Sequence, residues 1–342
     1  MDATAIPADI TYPNDIKLIS KAREKTEIII DLLYPDSKLK DKPRTYRKRA
    51  RKEFLTFSRS KKRSYNKIRK YQRKQLGYLE RNFRSIDLLL KSSNLKVLNK
   101  TLYKSMLVAR EVARQQRKMY DSKTRRIDHR IVSISQPHIR PIKRGKEHAP
   151  TEFGAKISIS LVDGYVFVDK MSFDNYNEAG DLQGAAENYK TVFGYYPKSI
   201  HADQIYRNRA NIGWCEKKGI RLGGPKLGRP SKKYLEELEK HKKQMRQDEK
   251  GRIPVEGKFG ELKRKYGLDR IMTKLAETTL TAINFSVLVA NLGKVYRLFL
   301  FLLFYYTKHL KSNTIPRSNT YKTAFLRKIK QCFLLKQICC SL

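Results

Sequence analysis

Three side chains in one short stretch, Arg252, Glu256 and Lys263, have the types and spacing of a site. Arg252 and Glu256 are four residues apart and Lys263 follows seven later, so on a helix of 3.6 residues per turn all three fall near one face. A carboxylate held between two cations can position a charged ligand. It is also ordinary helix surface, and on spacing alone a salt-bridged, solvated face is the simpler account. A second carboxylate, Asp203, follows the short apolar run Ser199-Ile-His-Ala, at the end of an expected strand. The C-terminal ends of strands are where α/β folds place ligand chemistry, although the same Asp suits the N-cap of a following helix through Tyr206, Arg207 and Trp214. A third, Asp2, stands almost at the first residue.

Read together and in order, Asp2-Ala-Thr-Ala-Ile-Pro, His201-Ala-Asp203-Gln-Ile-Tyr206-Arg207 and Arg252-Ile-Pro-Val-Glu256 through Lys263 resemble the three acidic motifs of bacterial insertion-sequence transposases of the DDE type. The resemblance covers roughly residues 1 to 295. In that family an Arg, a Glu and a Lys share this spacing, and a Tyr stands three residues before the Arg, where this chain has Glu249. The resemblance implies a ribonuclease-H-like α/β fold: a mixed sheet with flanking helices. It implies Asp2, Asp203 and Glu256 as catalytic residues and as ligands of two Mg²⁺ or Mn²⁺ ions, since hard oxygen donors select such cations. Arg252 and Lys263 then contact DNA. In the family a helical domain and a first strand precede the first Asp, so this chain is expected to lack both and to represent the C-terminal part of a transposase.

Elements must position those residues, and the composition frames them. The 342 residues include 75 Lys and Arg against 33 Asp and Glu, a formal charge of +42. Such an excess favours polyanions, because cations that neutralise phosphates release counterions. Ribosomal and membrane-surface proteins are similarly basic, so an RNA-associated protein and a DNA-binding transposase remnant without activity stand as alternatives to the enzyme. Four cysteines, Cys215, Cys332, Cys339 and Cys340, show no zinc-ligand spacing and suggest a reduced, intracellular protein, and the transposase resemblance implies the bacterial cytoplasm and association with the nucleoid. The opening residues are not those of a signal peptide, and the apolar run from Leu298 to Tyr306 is too short to span a bilayer, so a buried helix and no membrane partner are expected.

Along the chain, residues 1–12 begin the catalytic core, 13–125 form a basic helical insertion, 126–295 complete the core, and 296–342 are an apolar helix and tail. Asn14 caps a helix that Pro35 ends. From Lys38 to Lys74, cations including Arg47, Lys48, Arg49 and Arg51 interleave with aromatic rings and face only two acids, Asp41 and Glu53. That pattern suits a phosphate-tracking surface, or a merely solvated one. Leu76 to Leu90 and Leu95 to Val112 then step by three and four, as in a helical hairpin. Ile131 to Ser135 reads as a strand, and Lys156 to Met171 as a hairpin around Asp163-Gly164, a pair suited to a type I′ turn. His138 and His148 lack partner spacing. Arg207 is expected near DNA, and Gly228-Arg229-Pro230 resembles an AT-hook that lays Arg229 in the minor groove, or serves as a basic linker. The partners expected are double-stranded DNA, namely terminal inverted repeats and target, bound by a homodimer.

Overall fold

In the computed structural model of the chain, residues 1–93, 95–143, 151–224, 227 and 238–311 are described. The AT-hook-like Gly228-Arg229-Pro230, His148, and the tail after residue 311 lie outside them. The chain divides into two compact units. One comprises residues 1–8, 155–273 and 277–342, the other residues 9–154 with 274–276.

The second unit is helical. Its elements are α1 (Asp15–Leu33), α2 (Arg47–Arg59), α3 (Tyr65–Leu89) and α4 (Lys100–Asp121). The Asn14 side chain accepts from the Ile16 N–H at 3.0 Å and fixes the start of α1, while Ser64 and Asn99 cap α3 and α4 in the same way. Ile19, Ile30, Leu76, Leu79, Ile86 and Ala109 are completely buried at the centre of one core. At about 1.5–3 kcal/mol for each large apolar side chain, this burial holds the helices against the repulsion of their charges. Arg23 is buried inside the same unit, where its Nη1 donates to Glu27 one turn on while its Nε has no partner.

Residues 131–135 are not a strand. They run without regular structure and insert Ile131 and Ile134 into the helical core, which explains the alternation that reads as a strand. The helical unit accordingly extends past residue 125 to Gly154, and closes with β2 (Arg140–Lys143) paired antiparallel to the start of β3 (Thr151–Val162).

The other unit is mixed α/β. β4 (Tyr165–Ser172) pairs antiparallel with β3 around a turn in which Asp163 and Gly164 have φ of 48° and 78°. Both left-handed residues match a type I′ turn, whose twist follows that of the strands. A strand runs onward from the first acid rather than up to it: β1 spans Asp2–Pro7 and is a neighbour of β3 in the sheet, because Ala3, Ala5 and Ile6 give it an apolar, buried run. α5 (Asp181–Phe193) ends at Gly194, φ 83°, and leads to the two-residue β5 (Ser199–Ile200). α6 (Arg209–Lys217) returns the chain to β6 (Arg221–Leu222), parallel to β5. α7 (Leu238–Lys265) and α8 (Ala276–Lys311) follow.

Val255, Phe259 and Leu262 of α7 and Ile283, Val287 and Ala290 of α8 cover Ile6, Ile157, Ile159 and Val166 of the strands. Among the described residues the outer part of α8 is not buried: Phe299, Phe301 and Phe304 are more than half exposed. The expectation of a buried helix over Leu298 to Tyr306 is therefore wrong, because the core ends near Ala290 while the helix continues. By length and composition α8 is apolar enough to cross a membrane, with 17% of that window buried.

Candidate active site

The site lies within the α/β unit, where α7 passes the ends of β5 and β6. Asp203 follows β5 and caps a short 3₁₀ turn, its Oδ1 accepting from the Gln204 N–H at 2.7 Å. Its two readings, N-cap and site carboxylate, are compatible: one oxygen holds the turn, and the side chain stays about half exposed. Glu256 lies on α7, four residues after Arg252. The Arg252 guanidinium is 3.1 Å from Glu256 Oε1 and 3.5 Å from Asp203 Oδ1. It thus bridges two acids that are 53 positions apart in sequence. Lys263, on the same helix, donates to Thr4 Oγ1 of β1 at 3.2 Å.

Asp2 opens β1, with its Oδ1 accepting from the Ala3 N–H at 2.8 Å. Burial pushes its carboxyl above the usual range; the Ala3 hydrogen bond opposes this, and the like charges of Glu178 and Asp203 add to the rise. The donor chemistry of Asp2, Asp203 and Glu256, oxygen ligands alone, suits a hard divalent cation. Their spacing does not: among the described residues no three His, Cys, Asp or Glu side chains are grouped closely enough to hold an ion. A guanidinium stands between two of the three.

What holds α7 in place is a residue that the sequence did not single out. Asp248 is 6% exposed and accepts from both terminal guanidinium nitrogens of Arg221, at 2.8 and 2.7 Å, from the Gly224 N–H at 3.2 Å and from Gln244 at 3.2 Å. Burial acts to raise its pKa, and these donors outweigh it, leaving the carboxyl at about 2. The His201 ring lies 3.5 Å from Asp248, and burial holds its pKa below the ordinary value, so the contact at neutral pH is with an uncharged imidazole. Gly251 lets α7 approach this ring, since a Cβ there would come within 3.0–3.2 Å of three of its atoms. Spacing gave no sign of Asp248, because apart from Gln244 its partners lie far off in sequence, on β6, in the turn after it and beyond β5.

Two more acids line the unit, Asp169 half-buried and Asp181 buried. Asp169 on β4 accepts from Ser160 Oγ at 2.6 Å and is pushed up to about 6 by burial. Asp181 at the start of α5 takes Ser158 Oγ and Lys170 Nζ, each at 2.8 Å. Tyr206 is fully buried nearby, and burial raises its phenol well above the usual range.

The remaining expected DNA contacts are placed variously. Arg207 donates from Nη1 to the Leu222 and Gly223 carbonyls at 2.5 and 2.8 Å, a structural use. In the helical unit Arg47 pairs with Asp31 at 2.7 Å, Arg49 lies 3.7 Å from Glu53, and Lys48 and Arg51 are exposed. Arg229 lies outside the described residues.

Residues 200–293 match the family model of the transposase DDE domain. That segment contains Asp203, Arg252, Glu256 and Lys263, and Asp2 precedes it. No curated protein and no solved structure matches the chain.

Proposed function

We propose, from the premise that this chain is a DDE-type transposase, that it cleaves and joins DNA strands at the ends of an insertion sequence, with Asp2, Asp203 and Glu256 as its acids. The observation that carries this reading is Arg252, whose guanidinium joins Asp203 to Glu256 inside the segment that matches the DDE domain. The ribonuclease-H-like reading is supported by β1 beside β3 and by the β3–β4 hairpin, while β5 and β6 run parallel as a separate two-stranded sheet.

In this reading Asp2, Asp203 and Glu256 are the residues that would hold Mg²⁺ or Mn²⁺ once brought closer than they stand here, and the ions would supply Lewis-acid charge at the scissile phosphate. The chain's own contributions are separate from that. Arg252 offsets part of the charge of Asp203 and Glu256 in the absence of a cation. Lys263 and Arg252 place positive charge on the α7 face that meets DNA. Asp248 fixes the helix that carries them. The partners are duplex DNA, as terminal repeats and target, with two copies of the chain on the DNA, in the bacterial cytoplasm.

A DNA-binding remnant without catalysis is the second reading. It is favoured by the absence, among the described residues, of three acids close enough to hold an ion.

The experiment is cleavage of a plasmid bearing the element's ends, in Mg²⁺, by the wild type and by Glu256→Gln and Glu261→Gln. Glu256→Gln keeps size and helix preference and removes the charge. Transition-state charge held by a metal contributes several kcal/mol, so the rate should fall at least about a hundredfold. Glu261, paired with Lys258 at 2.6 Å, is the control and should keep its rate. Equal rates in all three proteins would remove Glu256 from the chemistry. No cleavage by any of them, with DNA affinity intact, would favour the remnant.

A further inference from the structure

The helical unit carries a groove of about 770 Å³ between α2, α3 and the end of α4, outside the segment that matches the DDE domain. Six cations line it, Arg49, Arg69, Lys70, Arg73, Lys74 and Arg81, against one carboxylate, Glu53. Glu53 is already occupied by Lys74 at 2.9 Å and accepts from the Tyr78 hydroxyl at 3.3 Å. Lys70, Arg73 and Arg81 are exposed, and no carboxylate pairs with them among the described residues. Such a concentration of like charge raises the free energy of the folded unit unless an anion lies along it.

The arrangement selects the anion's shape. Arg69, Arg73, Gly77 and Arg81 occupy successive four-residue steps of α3, each about 6 Å along the axis at 1.5 Å per residue. A single small anion touches one step of this row, whereas a polyanion touches all of it. Gly77 stands where the row would otherwise carry a fourth side chain, and a Cβ built there meets nothing within 4 Å. The gap leaves the helix backbone open to close approach.

Two guanidiniums of the row are held from behind by rings. Arg69 lies 4.1 Å from the centre of Tyr120 and donates to the Tyr120 carbonyl at 3.0 Å. Arg81 lies 4.6 Å from the centre of Tyr46. Tyr46 is a non-glycine residue with φ 53°, a sparsely populated conformation maintained at the start of α2. Rings stacked on one face of a guanidinium leave its edge donors free and reduce the entropy cost when they meet phosphate.

We propose that this groove on the helical unit is a duplex-DNA backbone site, with Lys70, Arg73 and Arg81 as its phosphate contacts and Gly77 as the point of closest approach. It takes from the proposed function only that the polyanion is DNA. It moves the main contact away from the outer face of α2, where Lys48 and Arg51 point, to the α3 side.

The test is fluorescence-anisotropy binding of the full chain to a labelled 30-base-pair duplex across a salt series, in a metal chelator so that cleavage plays no part. Lys70→Gln/Arg73→Gln/Arg81→Gln should lower affinity at least about tenfold near 0.1 M salt. It should also flatten the slope of log affinity against log salt by about two to three units, close to 0.9 for each phosphate no longer neutralised. Lys25→Gln/Lys104→Gln, which removes exposed charge elsewhere on the same unit, should leave the slope nearly unchanged. Gly77→Ala and Gly77→Glu both gain helix propensity and should fold; the Ala variant should bind somewhat less tightly and the Glu variant at least about tenfold less. The proposal is overturned if Gly77→Glu binds as Gly77→Ala does, or if Lys48→Gln/Arg51→Gln flattens the slope while the groove triple does not. Tighter binding of an RNA duplex than of the DNA would also overturn it. A groove failure with wild-type cleavage intact would leave the catalytic reading standing.

Discussion

Asp248 on α7 and Arg221 on β6 form a two-point ion pair, at 2.7 and 2.8 Å, between the helix that carries Glu256 and the strand beside the one that leads to Asp203. Its carboxyl, at about 2, lies below the ordinary Asp value near 3.9. A depressed folded pKa contributes stability that is complete above about pH 4 and disappears as pH falls toward 2. Asp248→Asn should therefore cost about 2 kcal/mol at pH 7 in urea denaturation, and the gap from wild type should close near pH 2. A gap that is constant with pH would mean that the loss is one of packing.

Asp169 runs the other way. Burial raises its pKa to about 6, so the folded state disfavours the ionised form and the chain loses stability as pH rises from about 4 through 6. Asp169→Asn keeps an acceptor for Ser160 and removes the charge. It should melt higher than wild type at pH 8, by an amount worth on the order of 1–2 kcal/mol, and lose that advantage near pH 4. Thermal melts at both pH values decide it, and parallel melting curves at the two would sink the idea.

Arg252 is partly exposed, and its partners Asp203 and Glu256 are about half exposed, so the bridge contributes little to folding. Arg252→Gln should shift the melting temperature by no more than about 2 °C yet reduce DNA cleavage at least about tenfold. Arg252→Lys should restore part of the rate. If the Gln variant unfolds, the bridge belongs to the fold and not to the chemistry.

Two glycines of α7 separate packing from helix propensity. A Cβ at Gly257 meets nothing within 4 Å, so Gly257→Ala should stabilise by about 0.5–1 kcal/mol. The same change at Gly251 drives a methyl against the His201 ring, which Asp248 and Gly223 already confine. Gly251→Ala should be neutral or destabilising, a difference that chemical denaturation of the pair reads directly. Equal gains would show that His201 moves freely.

Local signals in the sequence were sufficient for much of this fold. Asn14, Ser64 and Asn99 each supply the side-chain acceptor that an N-terminus of a helix needs, and the three- and four-residue steps of α1, α3 and α4 become one buried core. Asp163-Gly164 is a turn because these residues tolerate positive φ, whatever surrounds them. The short motif around Asp203 and the Arg252–Glu256 interval were legible for the same reason: they are written within one element.

Alternation and apolar runs misled where they depended on what lies opposite. Ile131 and Ile134 alternate as in a strand, but they meet helices rather than a neighbouring strand, so no ladder forms. Phe299 and Phe304 are as apolar as the residues before them and are exposed, because the partner strands end before the helix does. At β1, an apolar segment directly after Asp2 sufficed for a strand once β3 offered an edge.

The sequence by itself determined the charge, the helices with their caps, the hairpin turn and the order of the acidic motifs, since each depends on residues a few positions apart. Only the tertiary structure decided that Arg252 would bridge Asp203 and Glu256, that Asp248 would lock onto Arg221, and that Tyr46 and Tyr120 would lie beneath arginines of α3. Apart from Arg252 and Glu256, four positions apart on one helix, those pairings join residues separated by 27 to 51 positions, and the side chains meet because buried apolar faces bring their helices and strands together.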